Sequence, residues 1–244
     1  MSEDGRRRWS GPAGPAGGRE LAAKARDKSK SPSSRAWIAR QLNDPYVRRA
    51  KEEGWRARSA FKLLELDERF HFIKPGALVV DLGAAPGGWA QAVLKRGAAK
   101  AVGIDLLPID SMPGAAFLEM DFLAPEAPGA IEAALGGKPD LVLSDMAANT
   151  TGHRRTDQIR TGALAAAAVD YAIAHLKPGG AFVTKAFQGG LEGEALMRLK
   201  HAFTRVRHAK PPASRLESAE VYVVATGRRG RTDEQRLRVR GDEP

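Results

Sequence analysis

Acidic side chains and one lysine stand at the ends of short apolar runs in this sequence. Asp81 and Asp105 close two such runs, Asp145 directly follows a third, and Lys185 closes a fourth. If these runs are parallel strands, the four side chains emerge at the edge of a sheet where open α/β folds bind ligands. Ligand binding and acid–base chemistry are therefore expected at that edge.

A glycine-rich turn, Gly83–Gly88, follows the first run and precedes a helical pattern. Glycine allows a ligand to approach the backbone closely. The turn does not match the dinucleotide pattern G-x-G-x-x-G, because Ala85 occupies the second glycine position. It does not match the triphosphate-binding P-loop either, because Trp89 follows Gly88 where lysine is required. The turn thus argues against a polyphosphate ligand, and tight packing of a strand on a helix explains the glycines equally well.

The acids favour a different ligand. Asp105 lies roughly 20 residues beyond the turn, where a carboxylate accepts hydrogen bonds from ribose hydroxyls. Asp121 follows the third apolar run and is placed to accept from an adenine amino group. Each acid alone is better explained as a cap or a surface charge than as a ligand contact. Together, without a phosphate-binding lysine, they favour a cationic nucleoside cofactor such as S-adenosylmethionine over NAD or ATP.

Asp145 and Lys185 are predicted to reach the same edge, with the fourth and fifth strands both taken as neighbours of the first. A lysine at the end of an apolar strand loses hydration and can act as a general base. The alternatives are an amine that extends to the surface and an ordinary loop carboxylate.

The alternation of strand and helix patterns from residue 75 onward predicts a parallel sheet with helices on both faces. The predicted strands are Ala77–Asp81, Lys100–Asp105, Ala115–Glu119, Asp140–Ser144, Ala181–Lys185 and Val221–Thr226. The predicted helices are Trp89–Arg96, Ala127–Leu135, Gly162–Leu176 and Gly193–Phe203. Upstream of these, Asp44 and Pro45 are typical of a helix start, and a second helix is predicted from Ser59.

The positive charge is concentrated near the ends of the chain. The 244 residues carry a net charge of +10. Residues 1–58 contribute +8 (15 Lys and Arg against 7 Asp and Glu), residues 59–227 contribute zero (18 of each), and residues 228–244 contribute +2. This asymmetry favours a polyanionic partner such as nucleic acid over a role in solubility alone.

Several classes of protein are disfavoured by composition. The absence of cysteine excludes disulfides, thiolate metal sites and cysteine nucleophiles. No apolar stretch approaches the ~20 residues that a membrane helix needs, and the first nine residues lack the apolar core of a secretory signal. The five histidines show no metal-ligand spacing. A cytoplasmic monomer without a metal is expected.

Taken in order, the motifs resemble those of the FtsJ-type ribosomal RNA large-subunit 2′-O-methyltransferases over residues 36–229. The matching segments are Ser59–Leu63, Asp81–Trp89, Asp105–Pro108, Met120–Phe122, Ser144–Asn149, Lys185–Gly189 and Ser214–Tyr222. The resemblance implies a Rossmann-like S-adenosylmethionine-dependent fold with a mostly parallel seven-stranded sheet and helices on both faces. It also implies a uridine 2′-hydroxyl in 23S ribosomal RNA as the methyl acceptor.

The family carries a Lys-Asp-Lys-Glu catalytic set, which the resemblance places on Lys62, Asp145, Lys185 and Glu220. Glu217 is a rival for the last position, although the tract from Glu220 to the final strand matches better. The family's cofactor contacts fall on Gly87, Trp89, Asp105, Asp121 and Asp145. One departure is Ala148, which stands where the family usually has proline.

The expected organisation is a disordered basic extension at 1–36, a methyltransferase domain at 37–229 and a basic tail at 230–244. RNA is expected to contact the basic residues of the N-terminal helices, which are Arg48, Arg49, Lys51, Arg56 and Arg58. Trp37 and Trp55 either stack on bases or anchor these helices to the core.

Three other functions remain open. A methyltransferase acting on tRNA or on an mRNA cap would carry the same residues. A non-catalytic ribosome-assembly factor would be expected to lose the Lys or Asp positions, and all four are filled here. A dinucleotide oxidoreductase is disfavoured because its glycine pattern is missing.

Overall fold

The computed structural model describes residues 38, 42–148, 153–187, 191, 193–215 and 218–230. The extension expected at 1–36 lies outside the described residues, as do Trp37, Asn149, Glu217 and all but the first residue of the 230–244 tail.

Seven strands form one sheet in the order β3-β2-β1-β4-β5-β7-β6. The strands from β1 to β5 pair in parallel, whereas β7 is antiparallel to both β5 and β6. The strands are β1 (Leu78–Leu82), β2 (Lys100–Asp105), β3 (Ala115–Glu119), β4 (Leu141–Ser144), β5 (Ala181–Phe187), β6 (Phe203–Ala209) and β7 (Glu220–Arg228). The mostly parallel seven-stranded sheet is therefore confirmed.

Helices cover both faces of the sheet. They are α1 (Pro45–Glu52), α2 (Ser59–Phe70), α3 (Gly88–Lys95), α4 (Ala127–Leu135), α5 (Arg154–His175) and α6 (Gly193–Ala202). Strand residues alternate between two cores. Val80 and Leu82 pack towards α4 and α5, whereas Val79, Leu143 and Val183 pack towards α2 and α3. Asp81 therefore points to the α2–α3 face of the sheet.

The helix start at Asp44 is confirmed. The Asp44 side chain accepts a hydrogen bond of 3.0 Å from the Tyr46 amide, and Pro45 occupies the first turn. Arg58 and Arg215 also form ion pairs with this carboxylate. The N-terminal helices are thereby tied to the segment that follows β6, which fixes α2 against the sheet.

One expectation about the strands is wrong, and one strand was missed. The strand β5 pairs with β4 and not with β1, so only β4 is a direct neighbour of the first strand on that side. The edge strand β6 was not predicted, because between Phe203 and Ala209 it has one apolar side chain, Val206, among polar ones. The strand β6 buries few of its side chains, and its sequence accordingly lacks the apolar signal of an inner strand.

The helix α5 begins at Arg154, well before the predicted start at Gly162. Its first turns carry Arg155, Thr156, Asp157 and Gln158, a polar run without the apolar periodicity that marks the rest of the helix. No helix among the described residues is long and apolar enough to cross a membrane.

Candidate active site

Two lysines that are distant in sequence each pair with a carboxylate at the carboxyl edge of the sheet. Lys62, on α2, places its Nζ 2.7 Å from Glu220 Oε1 at the start of β7. Lys185, on β5, places its Nζ 3.1 Å from Asp145 Oδ1 and donates a 2.6 Å hydrogen bond to the Asp145 carbonyl oxygen. Lys62 and Lys185 are only 7% and 9% exposed, so both ion pairs are largely shielded from water.

Tyr222 connects the two ion pairs. Its hydroxyl donates a 2.9 Å hydrogen bond to Asp145 Oδ1 and accepts one of 3.4 Å from Lys62 Nζ. Tyr222 lies directly opposite Lys185 in the β5–β7 ladder, so both side chains leave the same face of the sheet. The four residues of the predicted catalytic set are thus brought together, and a fifth side chain completes the network.

Tyr222 was not predicted as a site residue. Its spacing of two from Glu220 places both side chains on one face of a strand, and this signal was present in the sequence. What the sequence lacked was the pairing of β7 with β5, which brings the hydroxyl to Asp145.

The charges around Asp145 hold it in its ionised form. Burial alone would raise its pKa, but the positive charges of Lys185 and Lys62 and the Tyr222 hydrogen bond outweigh burial and hold the pKa below its usual value. Burial and the negative charge of Asp145 raise the pKa of Tyr222 well above its usual value. The phenol therefore stays protonated and donates to the carboxylate.

A cavity of about 320 Å³ lies beside this network at the ends of β1, β2 and β4. Asp105, Asp121 and Asp145 all line it, together with Gly83 and Met146. Gly83 has a φ of +77°, and a Cβ there would stand 2.7 Å from Met146 Cγ. A side chain at this position would thus be strained and would crowd the wall of the cavity. The volume lies within the usual range for small-molecule sites.

Asp105 and Asp121 are held in place by nearby amides. The two carboxylate oxygens of Asp105 accept from the amides of Ala85 and Leu107, at 2.9 and 3.0 Å. Asp121 accepts from the Leu123 amide at 2.9 Å. Because a carboxylate has about four acceptor positions, both acids keep capacity for a ligand's hydroxyl or amino groups.

Gly87 and Trp89 are not among the residues that line this cavity. Gly87 caps α3 in the left-handed conformation, with a φ of +97°. The Trp89 ring is 2% exposed and packs against Tyr222, and its indole N–H donates to the Ser59 carbonyl at 2.8 Å. Their assignment as cofactor contacts stays a prediction, and for Trp89 it is limited to the backbone because the side chain is engaged elsewhere.

Comparison with known proteins assigns this arrangement to a family. Residues 55–228 match the model of the family described as FtsJ-like methyltransferases. The chain belongs to this family. It is 59% identical over 207 residues to a Novosphingobium aromaticivorans protein named ribosomal RNA large subunit methyltransferase E, covering 84% of this chain and 93% of the relative. A Paramagnetospirillum magneticum protein of the same name is 54% identical over 237 residues, covering 94% of this chain and 96% of the relative.

A solved structure supports the fold of this FtsJ-like methyltransferase. The crystal structure of a Plasmodium falciparum protein described as a ribosomal RNA methyltransferase is similar with a TM-score of 0.64 and 26% sequence identity. The similarity covers 72% of this chain and all of that chain.

The methyltransferase also buries an acid that has no partner. Asp81 is 1% exposed, and neither of its carboxylate oxygens has a hydrogen-bond partner among the described residues. Burial raises the pKa of Asp81 to about 8, and the negative charge of Asp145 adds to this effect. An uncompensated carboxyl beside two further acids, Asp145 and Asp105, fits a ligand that brings positive charge. The residues present therefore fit a cationic nucleoside better than a phosphorylated one.

Two of the arginines expected to bind RNA instead form hydrogen bonds and an ion pair within the methyltransferase. Arg56 donates to the carbonyls of Asp110 and Ser111, each at 2.7 Å, and so holds the loop after β2. Arg58 pairs with Asp44 and donates to the Ala213 carbonyl. Sequence alone cannot separate such arginines from those that face a ligand, because their partners are backbone carbonyls distant in the chain.

Trp55 is also engaged within the protein. Its indole N–H donates to Glu53 at 2.8 Å, its ring packs edge-on against Phe61, and the Lys95 amine lies 4.0 Å from the ring centroid. These contacts favour the role of an anchor for the N-terminal helices over that of a base-stacking platform.

No group of three or more His, Asp or Glu side chains in the described part of the chain is arranged to hold a metal ion.

Proposed function

We propose that this methyltransferase transfers a methyl group from S-adenosylmethionine to the 2′-oxygen of a uridine in 23S ribosomal RNA. The observation that carries the proposal is that Asp145 belongs both to the cofactor-sized cavity and to the Lys-Asp-Lys-Glu network. A methyl donor in the cavity and an acceptor oxygen at Lys185 would therefore both lie next to the Asp145 carboxylate. The names of the bacterial relatives support ribosomal RNA of the large subunit as the substrate.

The cofactor residues are proposed from the cavity and its charges. Asp105 would accept from the ribose hydroxyls and Asp121 from the adenine amino group. Gly87 and the backbone of Trp89 would contribute at the first turn of α3. Asp81 is proposed to act through its charge beneath the cavity, because a neighbouring cation favours its ionised form. When bound, S-adenosylmethionine supplies a methyl carbon that its sulfonium has already activated.

Lys185 is proposed to contact the acceptor hydroxyl. An amine has three hydrogen-bonding positions, and Asp145 occupies two of those of Lys185 through its carbonyl and its carboxylate. The remaining position would face the ribose 2′-oxygen, either to take its proton or to orient it towards the methyl carbon. Fixing the oxygen in line can lower the barrier by several kcal/mol.

Asp145, Lys62 and Glu220 are proposed to support this contact. Asp145 would fix the orientation of the Lys185 amine. Lys62 and Glu220 would balance the charge of the network and hold the ribose on its outer side. Tyr222 would fix the position of one ion pair relative to the other, because its hydroxyl bonds to Asp145 and to Lys62.

We also propose the remaining features of the protein. The methyltransferase domain would comprise residues 37–229, flanked by a basic extension at 1–36 that assists RNA binding and by a tail at 230–244. The protein would act in the cytoplasm, since ribosomal RNA is its proposed substrate, and it would act as a monomer without a metal.

The test uses the full chain, tritiated S-adenosylmethionine and large ribosomal subunits from a strain that lacks this gene. We expect label to appear in 23S RNA as a ribose methylation at one uridine, mapped by resistance of the adjacent phosphodiester to alkaline cleavage. Small subunits and bulk tRNA serve as parallel substrates. Labelling of tRNA in place of 23S RNA, or of a base in place of a ribose, would contradict the proposal.

A further inference from the structure

The edge strand β6 lies in the most uniformly basic described part of the chain. From Ala195 to Arg215 the sequence contains six Lys and Arg residues and no Asp or Glu. Three of these cations are exposed on β6 and directly after it, and we refer to Arg205, Arg207 and Lys210 as the basic edge. Charge counting along the sequence does not reveal this surface, because residues 59–227 as a whole are neutral.

Strand register relates the basic edge to Lys185. Tyr222 pairs with Lys185 on one side and with Ala209 on the other, so these three residues lie at one level across the sheet. Adjacent strands are about 4.8 Å apart, which puts the end of β6 about 10 Å from the Lys185 backbone. Lys210 lies just beyond this level, and Arg207 and Arg205 follow in the direction away from the active edge.

The two arginines also share a face with the catalytic network. Arg207 pairs with Val224 and Arg205 pairs with Thr226, and paired residues of neighbouring strands point to the same face. Val224 and Tyr222 belong to the core on the α2–α3 face, which is also the face of Lys185. An RNA strand that crosses Lys185 can therefore continue over β6 without changing face.

Two cations of the basic edge, Arg205 and Arg207, have no acidic partner among the described residues. Arg205 has no ion pair or hydrogen bond of its side chain among the described residues, and Arg207 donates only to the carbonyl of its neighbour Val206. Lys210 donates to the Ser218 carbonyl. In contrast, Arg198 and Arg215 pair with Asp170 and Asp44. Uncompensated exposed cations in a row favour a polyanion.

We propose that the basic edge binds the ribose–phosphate backbone of the ribosomal RNA next to the target nucleotide. This inference rests on the proposed function and adds to it the surface that holds the flanking RNA. Arg205 and Arg207 are two residues apart and lie on the same face of the strand, so each would contact a separate phosphate. Charged residues on an edge strand also prevent pairing with other strands, but that role alone would not change the salt dependence of RNA binding.

The test compares RNA binding by two double variants of the full chain. R205Q/R207Q removes two charges from the basic edge. K74Q/K138Q removes two charges from exposed lysines that precede β1 and β4, at the amino ends of the parallel strands. Binding of naked 23S RNA is measured between 50 and 200 mM salt. Each lost phosphate contact reduces the slope of log Kd against log salt by roughly 0.7 to 0.9.

We expect the slope to fall by roughly 1.4 to 1.8 for R205Q/R207Q and to stay at the wild-type value for K74Q/K138Q. Over this fourfold salt range, the wild-type protein would thus lose about tenfold more affinity than R205Q/R207Q. The charge-retaining R205K/R207K should restore the wild-type slope. Thermal unfolding and binding of S-adenosylmethionine, measured on all variants, verify that the folded state is intact.

An unchanged slope in R205Q/R207Q would overturn the inference, as would an equal change in K74Q/K138Q. A loss of affinity for the assembled large subunit without a change on naked RNA would assign the surface to a ribosomal protein and would also overturn it. The proposed function is tested separately, because it fails if the wild-type chain does not methylate a uridine ribose of 23S RNA, whatever the salt dependence of binding.

Discussion

The hydroxyl of Tyr222 donates a 2.9 Å hydrogen bond to Asp145 Oδ1 and so joins two buried ion pairs into one network. Without this hydroxyl, the Lys185–Asp145 and Lys62–Glu220 pairs would be separate features of the sheet edge. With it, a change at either lysine is transmitted to the carboxylate that also lines the cavity.

Substitutions of Lys185 distinguish its two proposed roles, which are to take the proton of the ribose 2′-hydroxyl or to orient that hydroxyl. We expect Lys185→Ala to reduce kcat by about 10²- to 10⁴-fold, the range typical of a positioned acid–base group, with little change in the affinity for S-adenosylmethionine. Lys185→Arg retains the charge but cannot lose a proton at ordinary pH. If Lys185 acts as a base, the Arg variant will be as inactive as the Ala variant, whereas partial activity would assign an orienting role. Full activity of Lys185→Ala would contradict both roles.

Removal of the Tyr222 hydroxyl should loosen the network while keeping the ring in place. For Tyr222→Phe we expect kcat to fall by about tenfold, which corresponds to about 1.4 kcal/mol, because Asp145 loses a donor and Lys62 loses an acceptor. Tyr171→Phe is the matched control, since Tyr171 is a buried tyrosine on the other face of the sheet. Rates for both variants are measured by single-turnover methylation. Equal rates in the two variants would show that the hydroxyl has no positioning role.

Asp81 should make the stability of the protein depend on pH. Its pKa of about 8 in the folded state exceeds the usual value of 3.8, so the folded protein retains a proton that the unfolded chain releases. Its contribution to the free energy of unfolding is therefore complete below about pH 4 and declines as the pH rises towards 8. Between pH 5 and 8 we expect the Tm of the wild-type protein to fall by roughly 5 °C or more beyond any fall in Asp81→Asn, since 1 kcal/mol shifts Tm by about 2–4 °C in a domain of this size. Parallel Tm curves for the two proteins would show that Asp81 is not protonated in the fold.

The same acid should link cofactor binding to pH. A bound cation favours ionised Asp81, so below pH 8 binding of S-adenosylmethionine requires the release of a proton. We therefore expect the Kd to decrease as the pH rises from 6 to 8, by at most about tenfold per unit, because one proton is involved. Calorimetry in two buffers of different ionisation enthalpy measures the released proton. Asp81→Asn should release none, and identical proton release in that variant would contradict the assignment.

Arg56 should affect the cofactor and not the RNA. It holds the carbonyls of Asp110 and Ser111 in the loop after β2, next to the cavity wall at Leu106 and Leu107. For Arg56→Gln we expect the Kd of S-adenosylmethionine to rise by about tenfold and the salt slope of RNA binding to stay unchanged. Lys74→Gln, at an exposed lysine that precedes β1, is the control for charge. A reduced salt slope in Arg56→Gln would instead indicate a direct phosphate contact.

The sequence predicted the strand–helix alternation well where apolar patterns are strong. The bounds of β2, β3 and α4 agree with the predicted ones, because β2 and β3 are mostly apolar runs and α4 has apolar residues at helical spacing. The edge strand β6 and the first turns of α5 were missed because they bury little apolar surface. The acids at the strand ends were recognised from position alone, since parallel strands present their carboxyl ends at one edge.

The sequence by itself determined which residue types end each strand, where strands and helices alternate, and, through its motifs, the resemblance to a family of methyltransferases. These properties are local, because they follow from the period of side chains along one element. Only the tertiary structure decided that Tyr222 joins the catalytic network, that Arg56 and Arg58 bind backbone carbonyls, and that the arginines of β6 lie on the same face of the sheet as Lys185. Such relations depend on which strands and helices become neighbours, and pairing between distant segments is decided by the packing of the whole sheet.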